Sequence, residues 1–308
     1  MTSVLYDAPG PRAKRRNILF TILFLVALGL VIWWALSLMA DKGQLAADKW
    51  SPFVTDSEVW STYLLPGLWL TVKAAAFAIV IALPLGAILG IGRLSEHRWI
   101  RVPVGAVVEF FRAIPVLILM FFAQAMFVQF TDIESEIRPM YAVVTGLVLY
   151  NASVIAEIVR AGILSLPSGQ TDAAKAIGMR KGQTMSYVLL PQAVTAMLPA
   201  LVSQTVVIVK DTALGGALLG LAELMSQYRT IPANYGANTI ATLTVIALIF
   251  IALNYLLTSA ASWLEGRARR TKKGTGAVLG ADDVQELNAP GHVTDHASGG
   301  IAGADGSL

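Results

Sequence analysis

Apolar residues fall into six long runs, at 18–40, 64–91, 102–130, 139–163, 192–219 and 239–264, separated by shorter polar stretches. A bilayer core about 30 Å thick is crossed by about 20 helical residues, so each run is long enough to span. The predicted fold class is all-α, a polytopic membrane helix bundle with six transmembrane helices. The run at 18–40 follows Arg12, Lys14, Arg15 and Arg16, which also suits a signal peptide. It is too long for a signal core, and no small-x-small cleavage site follows: Leu38 precedes Ala40 and Leu45 precedes Ala47. An uncleaved first span is expected. Trp50, Trp60 and Tyr63 before the second run suit an interfacial belt. Gly86, Gly90 and Gly92 within and just after it offer small faces for close packing. Lys73, near its start, is placed to snorkel. The third run is interrupted by Glu109, Arg112 and Pro115.

Composition agrees with this pattern and removes several classes of chemistry. Of 308 residues, 56% are hydrophobic and only 14% charged, which excludes a soluble domain. There is no cysteine, hence no disulfide or thiolate site. The three histidines are His97 in a basic loop and His292 and His296 in a Gly-rich tail, so no catalytic residue and no metal site is expected. Charge distribution predicts orientation. Sixteen of the 23 Lys and Arg lie in the N-terminus, the 92–101 loop, the stretch 157–191 with Arg160 at the end of the fourth run, and the C-terminal segment. The other loops hold Lys42, Lys49, Arg138 and Arg229, and Lys73, Arg112 and Lys210 lie within runs. The first side is therefore expected to be cytoplasmic, both termini included. From residue 274 the tail has five acids, no Lys or Arg, and many Gly and Ala, a composition that predicts disorder. The expected layout is a cytoplasmic N-terminus at 1–17, an extra span at 18–40, a core at 64–265 and a disordered cytoplasmic tail at 266–308.

The longest polar interruption, 164–191, organises the chain. Pro167 blocks helix continuation, so a helix should end near Ser165. Ser168 or Thr171 can cap a new one running through Asp172-Ala173-Ala174. Gly178 is placed at the left-handed position that stops it. A second short helix is expected from about Lys181 to Leu190, ended by Pro191. Two short helices between spans make a rigid knob suited to docking a soluble partner.

The spacing Asp172-Ala173-Ala174, three residues, Gly178, nine residues, Val188, one residue, Leu190-Pro191 resembles the Glu-Ala-Ala loop of ATP-binding-cassette (ABC) importer permeases, with Asp172 in place of Glu. Three further segments are similar to the polar amino-acid branch of that family: Phe111-Arg112-Ala113-Ile114-Pro115, Ala156-Glu157-Ile158-Val159-Arg160-Ala161-Gly162 and Val209-Lys210-Asp211-Thr212-Ala213-Leu214. The resemblance covers residues 66–264. The opening Val4-Leu5-Tyr6-Asp7-Ala8-Pro9-Gly10-Pro11 resembles actinobacterial glutamate-permease subunits. The departures are Asp172 for Glu, Ala113-Ile114 for Gly-Thr and Ala213 for Ser. The resemblance implies a type I permease core of five spans in the bacterial plasma membrane. It implies an ABC ATPase docked through Asp172, Ala173, Ala174, Gly178 and Pro191, a sister permease in a heterodimer, and an external amino-acid-binding protein. It implies import of polar amino acids, glutamate first, with glutamine, arginine or histidine as alternatives. ATP and Mg would be held by the ATPase, since this chain shows no Gly-x4-Gly-Lys-Ser/Thr phosphate loop. The chain itself would carry no cofactor, be no enzyme, and contact lipid rather than nucleic acid.

Ionisable groups at mid-span cost about 2.5–3.5 kcal/mol each, so they point to a bundle interior, a water path or a partner. Lys210 and Asp211 are the sharpest case. They read either as lining a substrate path or as ion-paired with Glu109, Arg112 or Glu157. Arg112, Asn151, Gln204, Lys210, Asp211 and Thr212 are the substrate-path candidates. Glu109–Arg112 and Glu157–Arg160 have the three-residue spacing that shares a helix face, and Glu109, Glu157 and Arg160 read as gate or structural ion pairs. Two other readings remain at this point: an ion-coupled secondary transporter relaying charge through Lys210, Asp211 and Glu157, and a membrane anchor or sensor with the knob as its signalling surface.

Overall fold

The computed structural model describes residues 10–272, which form helices, turns and no strand. The chain divides into two units, residues 1–263 and 264–308. The tail expected to be disordered lies mostly outside the described residues, although 266–272 continue the last helix.

Five helical stretches are long and apolar enough to cross a membrane: Pro11–Asp41, Val59–Gly92, Arg138–Leu164, Lys181–Leu219 and Thr239–Trp263. The α-helices of eight residues or more are α1 (Pro11–Asp41), α2 (Leu65–Gly92), α3 (Arg98–Ala113), α4 (Val116–Phe130), α5 (Arg138–Leu164), α6 (Ser168–Ala176), α7 (Leu190–Leu214), α8 (Gln227–Asn234) and α9 (Thr239–Lys272). Helix α1 buries none of its residues, and Trp33 and Trp34 are among its exposed side chains. From residue 18 to 40 this helix is apolar all round with no residue buried by its own chain, which suits lipid.

Helix α5 is the centre of the bundle. It packs on α2, α4, α7 and α3 and is the most buried of the spans. Glycines let its neighbours approach. A Cβ on Gly90 would lie 2.7 Å from Ala156 O, and one on Gly146 would lie 2.7 Å from Met120 N. Both contacts are to backbone, so these seams cannot widen by rotating a side chain.

The third apolar run is broken where the sequence interrupts it, and counted as one bent span it brings the number to six. α3 and α4 meet at a bend of 100° around Ile114–Pro115. Pro115 lacks the N–H for a helical bond and pushes Ile114 to extended backbone (φ −91°, ψ 130°). Fifteen residues give α4 a length of about 22 Å, short of a bilayer core. α3 buries Val108 and exposes Trp99, Val102 and Phe110, with Arg98, Arg101, Glu109 and Arg112 on a separate side. That division suits a helix lying at an interface.

One correction concerns Pro191. It does not end a helix; it lies in the first turn of α7. Thr184–Leu189 before it form a wide π turn, closed by Leu190 N–H bonding to Met185 O, five residues back. The same device precedes Pro66: Val59–Leu64 are a π turn, and Leu65 N–H bonds to Trp60 O. A proline ring collides with the carbonyl four residues back, and shifting the ladder by one residue relieves this.

Candidate functional site

The knob is built by local rules. α5 stops where Ser165 N–H bonds to Ala161 O and its hydroxyl to Gly162 O, and Pro167 takes the N-cap position of α6. Neither Ser168 nor Thr171 caps that helix, contrary to expectation: Pro167 fixes the extended entry, so both lie inside α6. Its end follows the expected pattern. Gly178 has φ +79°, Gly178 N–H bonds to Lys175 O, and Met179 N–H bonds to Ala174 O. These are the paired bonds of a Schellman stop. Ala174 turns inward and is buried, while Asp172, Ala173, Ile177 and Tyr187 face out. α6 packs mainly on the π turn at Thr184–Leu189, which runs directly into α7. The knob therefore presents small, acidic and apolar groups outward and has a continuous helical route into the bundle.

Beside the knob end of the bundle lies a cluster of charges. Glu109 pairs with Arg112 at 2.8 Å and Glu157 with Arg160 at 2.9 Å, the spacings expected of them. Arg93, which no sequence pattern singled out, joins the two pairs. Its guanidinium reaches Glu157 at 2.6 Å and Glu109 at 2.8 Å, and its side chain is only 14% exposed. Arg112 also lies 3.9 Å from Glu157. Three arginines thus share two carboxylates from three helix ends. In the next turn, Lys181 pairs with Glu96 at 3.0 Å and donates to Leu94 O at 3.2 Å. The Lys181 hydrogen bond holds the Glu96 carboxyl below its ordinary range.

The mid-span candidates separate. Gln204 Nε2 donates to Asn151 Oδ1 at 2.6 Å, and Asn151 Nδ2 donates to Leu147 O at 2.7 Å. Asn151 and Thr212 are fully buried, and the Thr212 hydroxyl donates to Val209 O. These two side chains join helices or satisfy backbone, so in this conformation they do not open onto a path. Gln204 is half-buried. Lys210 and Asp211 do not pair with Glu109, Arg112 or Glu157, which is a further correction: those three are engaged with one another and with Arg93. Lys210 instead borders a groove of about 400 Å³ with Met225, Ile246 and Phe250. Lys73 borders another of about 600 Å³ with Phe77, Glu136 and Tyr141.

At the end opposite the knob, Glu223 is fully buried in the segment read as a polar loop. Gly216 makes room for it; a Cβ there would overlap Glu223 Oε1. The Thr71 hydroxyl lies 2.8 Å from Glu223 Oε2 and 3.1 Å from Gly67 O, and it accepts Leu224 N–H. One hydroxyl proton serves one acceptor at a time, so Glu223 Oε2 and Gly67 O compete for it. Burial pushes Glu223 up to about 7, against backbone and Thr71 hydrogen bonds that favour its charged form. Among the described residues, no group of three or more His, Cys, Asp or Glu is arranged to hold a metal.

Comparison with known proteins agrees with this architecture. The family model described as binding-protein-dependent transport system inner membrane component matches residues 82–270. The glutamate transport system permease protein of Corynebacterium glutamicum is 50% identical over 238 residues, covering 76% of this chain and 86% of that one. The probable glutamine ABC transporter permease protein of Bacillus subtilis is 30% identical over 207 residues, covering 67% and 93%. A crystal structure of an amino acid ABC transporter with histidines superposes with a TM-score of 0.58 at 28% identity, covering 66% of this chain and 92% of that chain. The chain therefore belongs to the inner-membrane components of binding-protein-dependent transport systems, in the branch of polar amino-acid ABC permeases.

Proposed function

We propose that this chain is a permease subunit of an ATP-driven glutamate importer in the bacterial plasma membrane. The observation that carries the substrate is the 50% identity, over 76% of the chain, to a glutamate permease. The knob supports the energy source: the Gly178 stop and the helical run from Lys181 into α7 form a stiff lever. An ABC ATPase docks on its outward face, where Asp172, Ala173 and Gly178 lie exposed. Ala174, buried beneath, holds the shape, and the exposed Pro191 opens α7 beside it. A sister permease completes the path, and an external protein delivers the amino acid. The knob and both termini face the cytoplasm, in keeping with the Lys and Arg distribution. ATP and Mg stay on the ATPase, and this chain performs no covalent chemistry. ATP binding drives transport by stabilising the outward-facing state more than the inward-facing one, which shifts the population between them. Of the substrate-path candidates, Lys210 and Asp211 are left to meet the substrate or the sister subunit, while Arg112 and Gln204 are already paired with Glu109 and Asn151.

Labelled glutamate uptake in cells lacking this chain, with and without its restoration, tests the reading. Aspartate, glutamine, arginine and histidine serve as unlabelled competitors. Restored uptake blocked by aspartate alone is the expected result. Unchanged glutamate uptake removes glutamate as the substrate, and the competitor that is itself taken up replaces it.

A further inference from the structure

Two of the knob's attachments to the bundle differ in kind. One is the covalent run from Thr184–Leu189 into α7. The other is Lys181, held to Leu94 O and Glu96 of the loop leaving α2. That loop opens with Arg93, which grips Glu109 on the last turns of α3 and Glu157 on α5. Residues 93–96 therefore carry the knob at one end and two other helices at the other. The segment is short and closed by turn bonds, Leu94 N–H to Ile91 O and Ser95 N–H to Gly92 O. A tight turn tied at both ends passes on a displacement instead of absorbing it.

The far end has room to change partners. Arg112 Nη1 lies 3.9 Å from the Glu157 oxygen that Arg93 holds at 2.6 Å. A small shift of α3 along α5 would bring Arg112 onto that oxygen and release Arg93. Coupling between sites needs an element with two discrete arrangements, and this exchange supplies one. Arg112 also stands next to the 100° bend, so a shift of α3 acts directly on the Ile114–Pro115 hinge.

We infer that Lys181 and Arg93 are positioning residues for transport, carrying the knob's movement through residues 93–96 into α3 and the bend, in parallel with the covalent route into α7. The inference rests on the reading that an ATPase docks on the knob.

The test uses the whole transporter in proteoliposomes: this chain, its sister permease, the ATPase and the binding protein. Lys181→Met and Arg93→Gln are each expected to lower uptake per ATP hydrolysed about tenfold, the size of effect such coupling positions show. The ATPase should remain bound at the parent ratio. The double variant should be no worse than the worse single one, because both lie on one route, and Lys181→Arg should recover most of the ratio. A distance measurement reads the same coupling without any substrate. This chain has no cysteine, so labelled before assembly with the other subunits it carries labels only at Gly169→Cys and Gly105→Cys, both in open space. In the parent, nucleotide should leave the knob-to-α3 distance unchanged because the two move together; in Lys181→Met it should change. Unaltered uptake per ATP in Lys181→Met, losses that multiply in the double variant, or loss of the ATPase from both single variants would overturn the inference. A parent complex that hydrolyses ATP yet takes up no glutamate overturns only the substrate reading, since the distances need nucleotide alone.

Discussion

Gly178 shows how one residue sets the shape of the knob. Its φ of +79° lies where an L side chain costs about 1–2 kcal/mol, and more when β-branched. Nothing lies within 4 Å of where its Cβ would be, so the penalty is conformational and not steric. Gly178→Val should therefore lose most amino-acid uptake while the chain still inserts, whereas Gly178→Asn, which tolerates this backbone, should retain most of it. Gly169→Ala, in equally open space with ordinary φ, is the neutral control. Uptake normalised to membrane-inserted protein reads all three. Glu223 makes a different residue-scale prediction. Its value of about 7 lies above the ordinary 4.5, so between those limits the folded state binds the proton more tightly than the unfolded one. Stability is then fully present below about pH 4.5 and falls as pH rises through 7, by up to about 3 kcal/mol. Thermal unfolding in detergent from pH 5 to 8.5 should show this decline in the parent. Glu223→Gln, neutral at every pH, should flatten it.

At the scale of elements, the seam between α4 and α5 makes the strongest demand. A side chain on Gly146 meets the backbone of Met120 at 2.7 Å as well as its flexible side chain at 2.6 Å, so rotating Met120 cannot clear the contact and Gly146→Leu should force α4 off α5 at a cost of about 3 kcal/mol. Gly105→Leu on α3, with nothing within 4 Å, should cost almost nothing, and unfolding temperatures of the two variants compare them directly. The helices behind these seams were legible because hydropathy repeats over whole spans: runs at 139–163 and 239–264 became α5 and α9 with shifts of one residue at most before the tail. Local rules read the Gly178 stop equally well, since its cause is confined to its own turn. They failed at the prolines. Pro115 signalled an interruption, but its 100° angle depends on what α3 packs against. Pro191 looked like a terminator because only the preceding π turn makes it compatible with a continuous helix. Arg93 was illegible for a related reason: its partners stand 16 and 64 positions away, and each already had an arginine three residues on. Glu223 lay in a stretch whose composition reads as solvated, and the small Gly216, the hydroxyl of Thr71 and the Ser226 N–H make its burial tenable.

For the whole molecule, the question is what α1 contributes. It lies outside the residues matched by the family model, and none of its residues is buried by the rest of the chain. Its removal therefore takes away no core contact. It does take away Arg12, Lys14, Arg15, Arg16 and Lys42. The positive charge that remains is still lopsided, with twelve Lys and Arg on the knob side against Lys49, Arg138 and Arg229 opposite. Orientation follows such differences in short loops, so the truncated bundle should insert the same way round. Deleting residues 2–42 should leave the thermal unfolding of the purified chain unchanged. In whole cells a membrane-impermeant maleimide should label a single Glu134→Cys and spare Gly169→Cys, with or without the deletion. If the deletion reversed that labelling pattern, α1 would be the element that sets topology, and the charges of the 92–101 loop, the knob and the C-terminal segment would be too weak to hold the bundle by themselves. If it preserved the pattern while uptake fell, α1 would act on the assembled transporter, through lipid or through the sister subunit, and not on the fold of this chain.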